Sequence, residues 1–172
     1  EKLAPDSDEM ADACISMSFC FWDARGRRKD KETRRLQALE WYEKGLAAYE
    51  RSGNTTNLTC NLTNISAMYR REGQLTTALA RAQRALDLER AHPTSADPGE
   101  RSASWSHAAD LYRLTGDLDT AEAVIADGLA QLGEKTPSCG YLWAVRAYIF
   151  EDRAKQCRAI ADEILPPEHC TI

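Results

Sequence analysis

Apolar and small residues recur at three- and four-residue intervals in two stretches of the chain, each interrupted by one glycine. A stripe before Gly73 or Gly116 predicts one helix, and the stripe after that glycine predicts a second. Around Gly73, the stripe before the glycine is Leu62, Ile65, Ser66 and Tyr69, and the stripe after it is Leu75, Ala78, Leu79, Ala82, Ala85 and Leu86. Around Gly116, the corresponding stripes are Trp105, Ala108, Ala109 and Tyr112, and Leu118, Ala121, Val124, Ile125, Gly128 and Leu129. Because glycine readily adopts the left-handed conformation that closes a helix, we predict two helical hairpins.

The two hairpins repeat one another in sequence. The block YRREGQLTTA begins at Tyr69, and YRLTGDLDTA begins 43 residues later at Tyr112, with Tyr, Arg, Gly, Leu, Thr and Ala in register. The small alanine allows the paired helix to approach closely enough for the tyrosine to lie across the contact. The repeat therefore predicts stacked helix pairs.

The flanking segments extend this pattern. Residues 36–50 predict the second helix of an earlier pair, with Leu39, Tyr42, Leu46 and Tyr49 on one face and Ala38 in the place of Ala78. Residues 10–22 predict its partner, with Cys14, Met17 and Phe21 facing inward, and residues 23–33 a long connection. Residues 140–165 follow Ser138, a candidate cap, and precede Pro166 and Pro167; they predict one capping helix or a bent pair.

These features resemble the tetratricopeptide repeat, whose signature combines Trp, Leu, Gly and Tyr with a later Gly, two spaced alanines and Pro. The matching residues are Trp105, Ala109, Tyr112, Gly116 and Ala121 in one unit, and Leu62, Ile65, Ser66, Tyr69, Gly73, Ala78, Ala85 and Pro93 in the other. The 43-residue period and the linker HPTSADPGER are similar to the kinesin-light-chain variety, in which a loop is inserted between units.

The resemblance implies an all-α, right-handed α-solenoid of antiparallel helix pairs. It would be a single domain, 1–172, with about three repeats at approximately 10–52, 58–92 and 101–133, a C-terminal cap at 138–165 and a tail at 166–172.

In this family the first helix of each repeat lines a concave groove that binds an extended or helical peptide. The resemblance implies that the groove residues here are Thr63, Asn64, Ala67, Arg70, Arg71, Ser106, His107, Asp110 and Arg113. Arg70 and Arg113 occupy equivalent places and either bind carboxylates as a ladder or only solubilise the surface. The family's chaperone-tail clamp needs paired Lys and Asn residues, and Cys60, Ala67 and Ala103 occupy several of those places, which argues against that activity.

Charge and hydropathy narrow the partner class. The 172 residues carry 22 Lys and Arg against 27 Asp and Glu, a net charge of −5, which argues against general binding of nucleic acid or anionic membranes. No apolar run approaches the length needed to cross a bilayer. The basic run at 25–35 is interpreted as a solvated connection, with an acidic partner as the alternative. We therefore expect a protein or peptide partner, no nucleic acid and no membrane insertion, and leave the oligomeric state open.

Six cysteines are the evidence on compartment: Cys14, Cys20, Cys60, Cys139, Cys157 and Cys170. An even number favours disulfides and an extracytoplasmic, periplasmic or secreted, location, although free thiols and a cytoplasmic location stay open. Cys14 or Cys20 is expected to meet Cys60. Cys170 would reach Cys139 if the C-terminal segment is a hairpin, or Cys157 if it is one helix.

No catalytic or metal-binding motif accompanies these elements. His92, His107 and His169 lack metal-ligand spacing, and no Cys-x-x-Cys, phosphate-binding or nucleophile-elbow motif is present, so we expect no enzyme, cofactor or metal. The leading hypothesis is a non-catalytic interaction module, as a scaffold, sensor domain or toxin-immunity factor. The alternative is an enzyme with a cysteine nucleophile, for instance Cys60 beside His107.

Four Asn-x-Ser/Thr triplets begin at Asn54, Asn57, Asn61 and Asn64. Asn61 and Asn64 fall inside a predicted helix, where an amide is poorly presented for glycosylation. We interpret these residues as ordinary loop and capping residues, with Asn54 and Asn57 as the only candidate acceptors.

Overall fold

The computed structural model describes residues 4, 6–23, 28–92 and 97–164, and their regular structure is entirely helical. The helices are α1 (Asp8–Asp23), α2 (Arg28–Ser52), α3 (Thr55–Arg71), α4 (Leu75–Ala91), α5 (Pro98–Leu114), α6 (Leu118–Leu132) and α7 (Gly140–Ile164), with a short 3-10 helix at Pro137–Cys139. They pack in adjacent pairs, which confirms the predicted all-α, solenoid-like fold class.

The chain divides into two compact units, Glu1–Glu100 and Arg101–Ile172. Unit 1 contains α1 to α4, and unit 2 contains most of α5 together with α6 and α7. The assignment of the helix pairs to repeats of a single domain stays a prediction.

Three turns share one backbone conformation that closes the preceding helix. Each has a Tyr followed four residues later by a Gly with positive φ: 75° at Gly53, 76° at Gly73 and 87° at Gly116. The residue after each glycine donates its N–H to the tyrosine carbonyl: Asn54 to Tyr49 at 3.2 Å, Gln74 to Tyr69 at 3.0 Å and Asp117 to Tyr112 at 3.0 Å. This is the geometry of a Schellman motif, in which glycine avoids the steric cost of a left-handed residue. The 43-residue repeat predicted two of the turns; the one at Gly53 is an additional finding.

Side chains from both helices of each pair fill the core of unit 1. Tyr42, Tyr49, Leu62 and Ile65 are at most 2% exposed, which confirms the predicted packing stripes of α2 and α3. A Cβ atom at Gly45 would lie 2.7 Å from Ile15 Cδ1, so α1 and α2 approach each other closely at that point.

The expected inward face of α1 needs one correction. Cys14 is buried and Phe21 is half-buried, but Met17 is 43% exposed. The buried positions are Ala11, Cys14, Ile15 and Ser18, spaced three, one and three residues apart, so their stripe is centred on the side of Cys14 away from Met17.

The connection predicted at residues 23–33 is also wrong in extent. Helix α2 already begins at Arg28, so most of the basic run belongs to its first two turns, and residues 24–27 lie outside the described part. Lys, Glu and Arg are good helix formers, and no Pro or Gly follows Gly26 within the run, so nothing in it stops a helix.

In unit 2, a large side chain packs against the smallest one. Trp105 is fully buried, and a Cβ atom added at Gly128 would lie 3.1 Å from the Trp105 Cβ and Cγ atoms. Helix α7 is continuous over 25 residues, so the segment forms one helix rather than a bent pair. It packs through Leu142 and Ile149, both fully buried.

Candidate partner-binding site

A cavity of about 320 Å³ in unit 1 is lined by side chains of α1 and α3. The lining residues are Phe19, Trp22, Asn64, Ala67, Met68 and Arg71. We call this cavity the α1–α3 pocket. Asn64, Ala67 and Arg71 belong to the predicted groove set, whereas the two aromatic residues were not predicted as part of the site.

Neighbouring side chains hold both aromatic walls of the α1–α3 pocket. The Phe19 ring packs edge-on against Tyr42 with 5.9 Å between ring centroids, and the Tyr42 hydroxyl donates to Asn61 Oδ1 at 2.6 Å. The Arg35 guanidinium lies 5.4 Å from the Trp22 ring centroid. Aromatic groups that are already positioned lose little conformational freedom when a ligand binds.

The two guanidinium groups near the α1–α3 pocket differ in availability. Arg35 forms an ion pair with Glu72 at 2.6 Å. Arg71 is exposed, and among the described residues it makes no ion pair. The pocket therefore combines apolar walls with one arginine whose guanidinium can bind a carboxylate of a partner.

The other predicted groove residues of unit 1 lie outside this lining. Thr63 is half-buried and donates its hydroxyl to the Thr59 carbonyl at 3.3 Å, as helical threonines commonly do. Arg70 is half-buried on the last turn of α3.

In unit 2, the structure gives Arg113 contacts that join α5 to α7. Its guanidinium donates to Asp110 Oδ1 at 2.8 Å and to Asp152 Oδ2 at 2.7 Å, and it lies 5.6 Å from the Tyr148 ring centroid. Hydrogen bonds from Lys155 and Arg113 lower the pKa of Asp152. The Arg113 side chain is 19% exposed and already neutralised, so a packing role accounts for it better than a carboxylate ladder.

Ser106 and His107, the remaining predicted groove residues of α5, are less exposed than residues that line an open groove. Ser106 is only 8% exposed and donates its hydroxyl to the Ala103 carbonyl at 3.1 Å. His107 is half-buried.

A second cavity, of about 500 Å³, lies beside α2 in unit 1 and was not predicted. It is lined by Leu36, Leu39, Glu40, Glu43, Lys44, Tyr69 and Gln74. Glu43 accepts a hydrogen bond from the Tyr69 hydroxyl at 3.0 Å and pairs with Arg81 at 2.8 Å. Burial and the Glu43 carboxylate raise the pKa of Tyr69 to about 12. Of the two carboxylates in this lining, that of Glu43 is thus already compensated, whereas Glu40 is exposed.

The described cysteines are free thiols: Cys14, Cys20, Cys60, Cys139 and Cys157. The expected pairing of Cys14 or Cys20 with Cys60 is therefore not formed in this structure, and the pairings with Cys170 lie outside the described residues. Burial raises the pKa of the Cys60 thiol, with Glu100 adding to the effect.

The candidate glycosylation asparagines have contacts of their own. Asn54 is the N-cap of α3: its side-chain oxygen accepts from the Asn57 N–H at 3.0 Å, and its amide donates to Asp8 Oδ2 at 2.6 Å. This supports the capping interpretation of the asparagine-rich segment.

Across the described ranges, no cluster of three or more His, Cys, Asp or Glu side chains could hold a metal ion. No helix there is both long and apolar enough to span a bilayer. No protein-family model matches the chain, and no curated protein is significantly similar to it.

Proposed function

We propose that the chain is a non-catalytic protein-interaction module that binds a peptide segment of a partner protein in the α1–α3 pocket. The segment would place an apolar side chain between Phe19 and Trp22 and a carboxylate on Arg71. The observation that carries this proposal is the combination, at one cavity, of two held aromatic walls with an exposed guanidinium that forms no ion pair with any described residue.

The size and chemistry of the α1–α3 pocket favour a peptide over the other ligand classes. At about 320 Å³ it lies at the lower end of the range for small-molecule sites and suits one or two side chains. The net charge of −5 opposes a nucleic-acid backbone. The pocket is formed by α1 and α3, the first helices of their pairs, which is where the resemblance to tetratricopeptide repeats would place a peptide groove.

The state of Cys60 argues against the enzymatic alternative. A nucleophilic cysteine needs a lowered thiol pKa, whereas burial raises that of Cys60. The thiol is therefore protonated at neutral pH.

An extracytoplasmic location stays part of the proposal on the strength of the six cysteines alone. Alkylation of the non-reduced protein from its native source, followed by peptide mapping, tests it. Disulfide-linked Cys170 peptides would support it, and six alkylatable thiols would remove it.

The proposed peptide site is tested with an array of random 12-residue peptides probed with the purified chain. Binding peptides should share a large apolar residue within four positions of an acidic one. The affinity of the best peptide is then measured by isothermal titration with two variants. Ala67→Trp fills the pocket and should abolish binding, and Arg71→Glu should weaken it by about tenfold or more.

Two matched variants control for general effects of these changes. Ala80→Trp is the control for Ala67→Trp, because it places the same bulk at an exposed position of α4. Lys31→Glu is the control for Arg71→Glu, because it reverses the charge at an exposed position of α2. Both should bind the peptide as the parent chain does. Unchanged affinity in Ala67→Trp and Arg71→Glu would contradict the proposed site.

A further inference from the structure

Helix α7 carries an exposed apolar stripe that its own unit leaves uncovered. The stripe recurs at intervals of four and three residues and consists of Trp143, Ala147, Phe150, Ala154, Cys157 and Ala161. The first five are exposed and the last is half-buried. The stripe lies to one side of the face that buries Leu142 and Ile149, and we call it the α7 seam.

The spacing of the α7 seam is that of the a and d positions of a coiled coil. Its aromatic members are held in place: Arg146 forms an ion pair with Glu122 at 2.6 Å and lies 5.2 Å from the Trp143 ring and 5.8 Å from the Phe150 ring. The large side chains therefore stand on the surface in defined positions.

The C-terminal half of α7 lacks cover within the described chain. From Ala154 to Glu163 each side chain is exposed, apart from the half-buried Ala161, and Ile160 is 55% exposed. A ten-residue helical stretch with no tertiary packing is only marginally stable in water.

We propose that the α7 seam is a self-association surface, on which a second copy of this chain packs its own α7 antiparallel about a two-fold axis. Phe150 then lies opposite Ala161 of the partner subunit, and Ala154 opposite Cys157 of the partner subunit. Phe150 meets the small Ala161 in one layer, and the layer of Ala154 and Cys157 contains only small side chains, so no layer sets two aromatic rings against each other. A parallel pair would instead set Phe150 against itself and Ala154 against itself, which alternates crowding with gaps.

Charges beside the α7 seam select this alignment. Glu151 and Arg158 are exposed, and neither makes an ion pair among the residues that the structure describes. In the proposed alignment Glu151 faces Arg158 of the partner subunit, and the symmetry repeats the pair. An antiparallel alignment shifted by seven residues, with Phe150 opposite Ala154, would bring the two copies of Glu151 together, which is unfavourable.

Sedimentation equilibrium of the full chain between 1 and 200 μM tests the pairing. The parent chain should form a dimer in this range. Ala154→Glu places a charge at the centre of the seam on an exposed helical position, and it should weaken the dimer at least 100-fold while leaving the helical circular dichroism unchanged. Ala159→Glu makes the same change on the opposite, exposed face and should leave the dimer intact.

A charge exchange tests the alignment itself. Glu151→Arg and Arg158→Glu should each weaken dimerisation by about tenfold, because each creates two like-charge contacts. The double variant restores both pairs with reversed signs and should recover the parent affinity. A monomeric parent chain at 200 μM, equal effects of Ala154→Glu and Ala159→Glu, or no recovery in the double exchange would overturn the proposal.

Discussion

The hairpins α3–α4 and α5–α6 have the same turn and different interiors. Both close on a glycine with positive φ and on the same tyrosine-carbonyl hydrogen bond. At one equivalent pair of core positions, unit 1 has Leu62 with Ala85, and unit 2 has Trp105 with Gly128. The larger residue is matched by a smaller one on the paired helix. The turn thus sets the path of the backbone, and paired changes in side-chain size preserve the helix contact.

The outer surfaces of the same hairpins differ more. The arginine that both blocks share lies half-buried at Arg70 and pairs with two carboxylates at Arg113. The arginine that lines the α1–α3 pocket is Arg71, whose equivalent in unit 2 is the exposed Leu114. What the repeat preserves is therefore largely structural, and the candidate site is at a position where the two blocks differ.

The largest expected effect on stability comes from truncating the buried side chains at the equivalent core positions, Leu62 and Trp105. Trp105→Ala should lower the free energy of unfolding by about 3–5 kcal/mol and Leu62→Ala by about 2–4 kcal/mol, since both residues are fully buried. Urea denaturation followed by circular dichroism measures both. The control Leu36→Ala, at a residue 52% exposed, should cost far less. A smaller loss for Trp105→Ala than for Leu36→Ala would mean that unit 2 has no packed interior.

The shared turn predicts equal costs at the two glycines. Gly73→Ala and Gly116→Ala should each lower the unfolding free energy by about 1–2 kcal/mol, because a Cβ atom at positive φ is strained although no atom lies within 4 Å of it. Gly140→Ala is the matched control: its φ is −53° and its surroundings are open, so it should be neutral or stabilising. Clearly different losses of unfolding free energy in Gly73→Ala and Gly116→Ala would show that the two turns are not equivalent.

A double-mutant cycle sharpens the size-matching argument. Gly128→Ala should cost about 1 kcal/mol in the parent chain, because the new Cβ atom would crowd the buried Trp105 ring. In a Trp105→Leu background, which recreates the unit 1 pair, the same change should stabilise by up to about 1 kcal/mol through helix propensity. Additive effects of the two substitutions would show that these positions are independent.

The smallest effect is expected at the caps of the second helices. Asp117 accepts a hydrogen bond from the Thr120 N–H at 3.1 Å, whereas Gln74 makes no side-chain cap bond. Asp117→Ala should lower the melting temperature by about 2–4 °C, and Gln74→Asp should raise it by a similar amount.

The pH dependence of the α6 cap checks its mechanism. Hydrogen bonds from the Thr120 side chain and backbone lower the pKa of Asp117 below its ordinary value. A carboxyl whose pKa is lower in the folded state stabilises the fold above its ordinary pKa, and this contribution is lost as the pH falls through the lowered value. The difference between the parent chain and Asp117→Ala should therefore disappear in acid and persist at neutral pH.

Much of the fold followed from the sequence, because periodicity and glycine act locally. The stripes of α2 to α6 and two of the turns were predicted, and the alternatives for α7 were correctly posed. The errors concern Met17 and the start of α2. In a short helix such as α1, the hydrophobic pattern does not fix which neighbouring residue faces the core, and Met17 was therefore misplaced. A charged run such as the one at the start of α2 occurs in both helices and loops, so its pattern did not locate the helix start.

The candidate site was only half accessible to sequence reasoning. Asn64, Ala67 and Arg71 were placed by the resemblance to a repeat family, but Phe19 and Trp22 come from α1, whose orientation against α3 depends on tertiary packing. The engagement of Arg113 by Asp152 is similarly a contact between residues 39 positions apart. The pattern of hydrophobic positions along a sequence carries no information about pairwise contacts of this kind.

The turn at Gly53 has a consequence for how such a chain can be lengthened. It joins the end of one helix pair to the start of the next, whereas the turns at Gly73 and Gly116 join helices within a pair, and the backbone is the same in all three. A helix end of the form Tyr-x-x-x-Gly therefore serves both kinds of junction, and the packing of the helices rather than the turn makes α1–α2 and α3–α4 the pairs. Joining a further pair to such an array would require no new kind of turn.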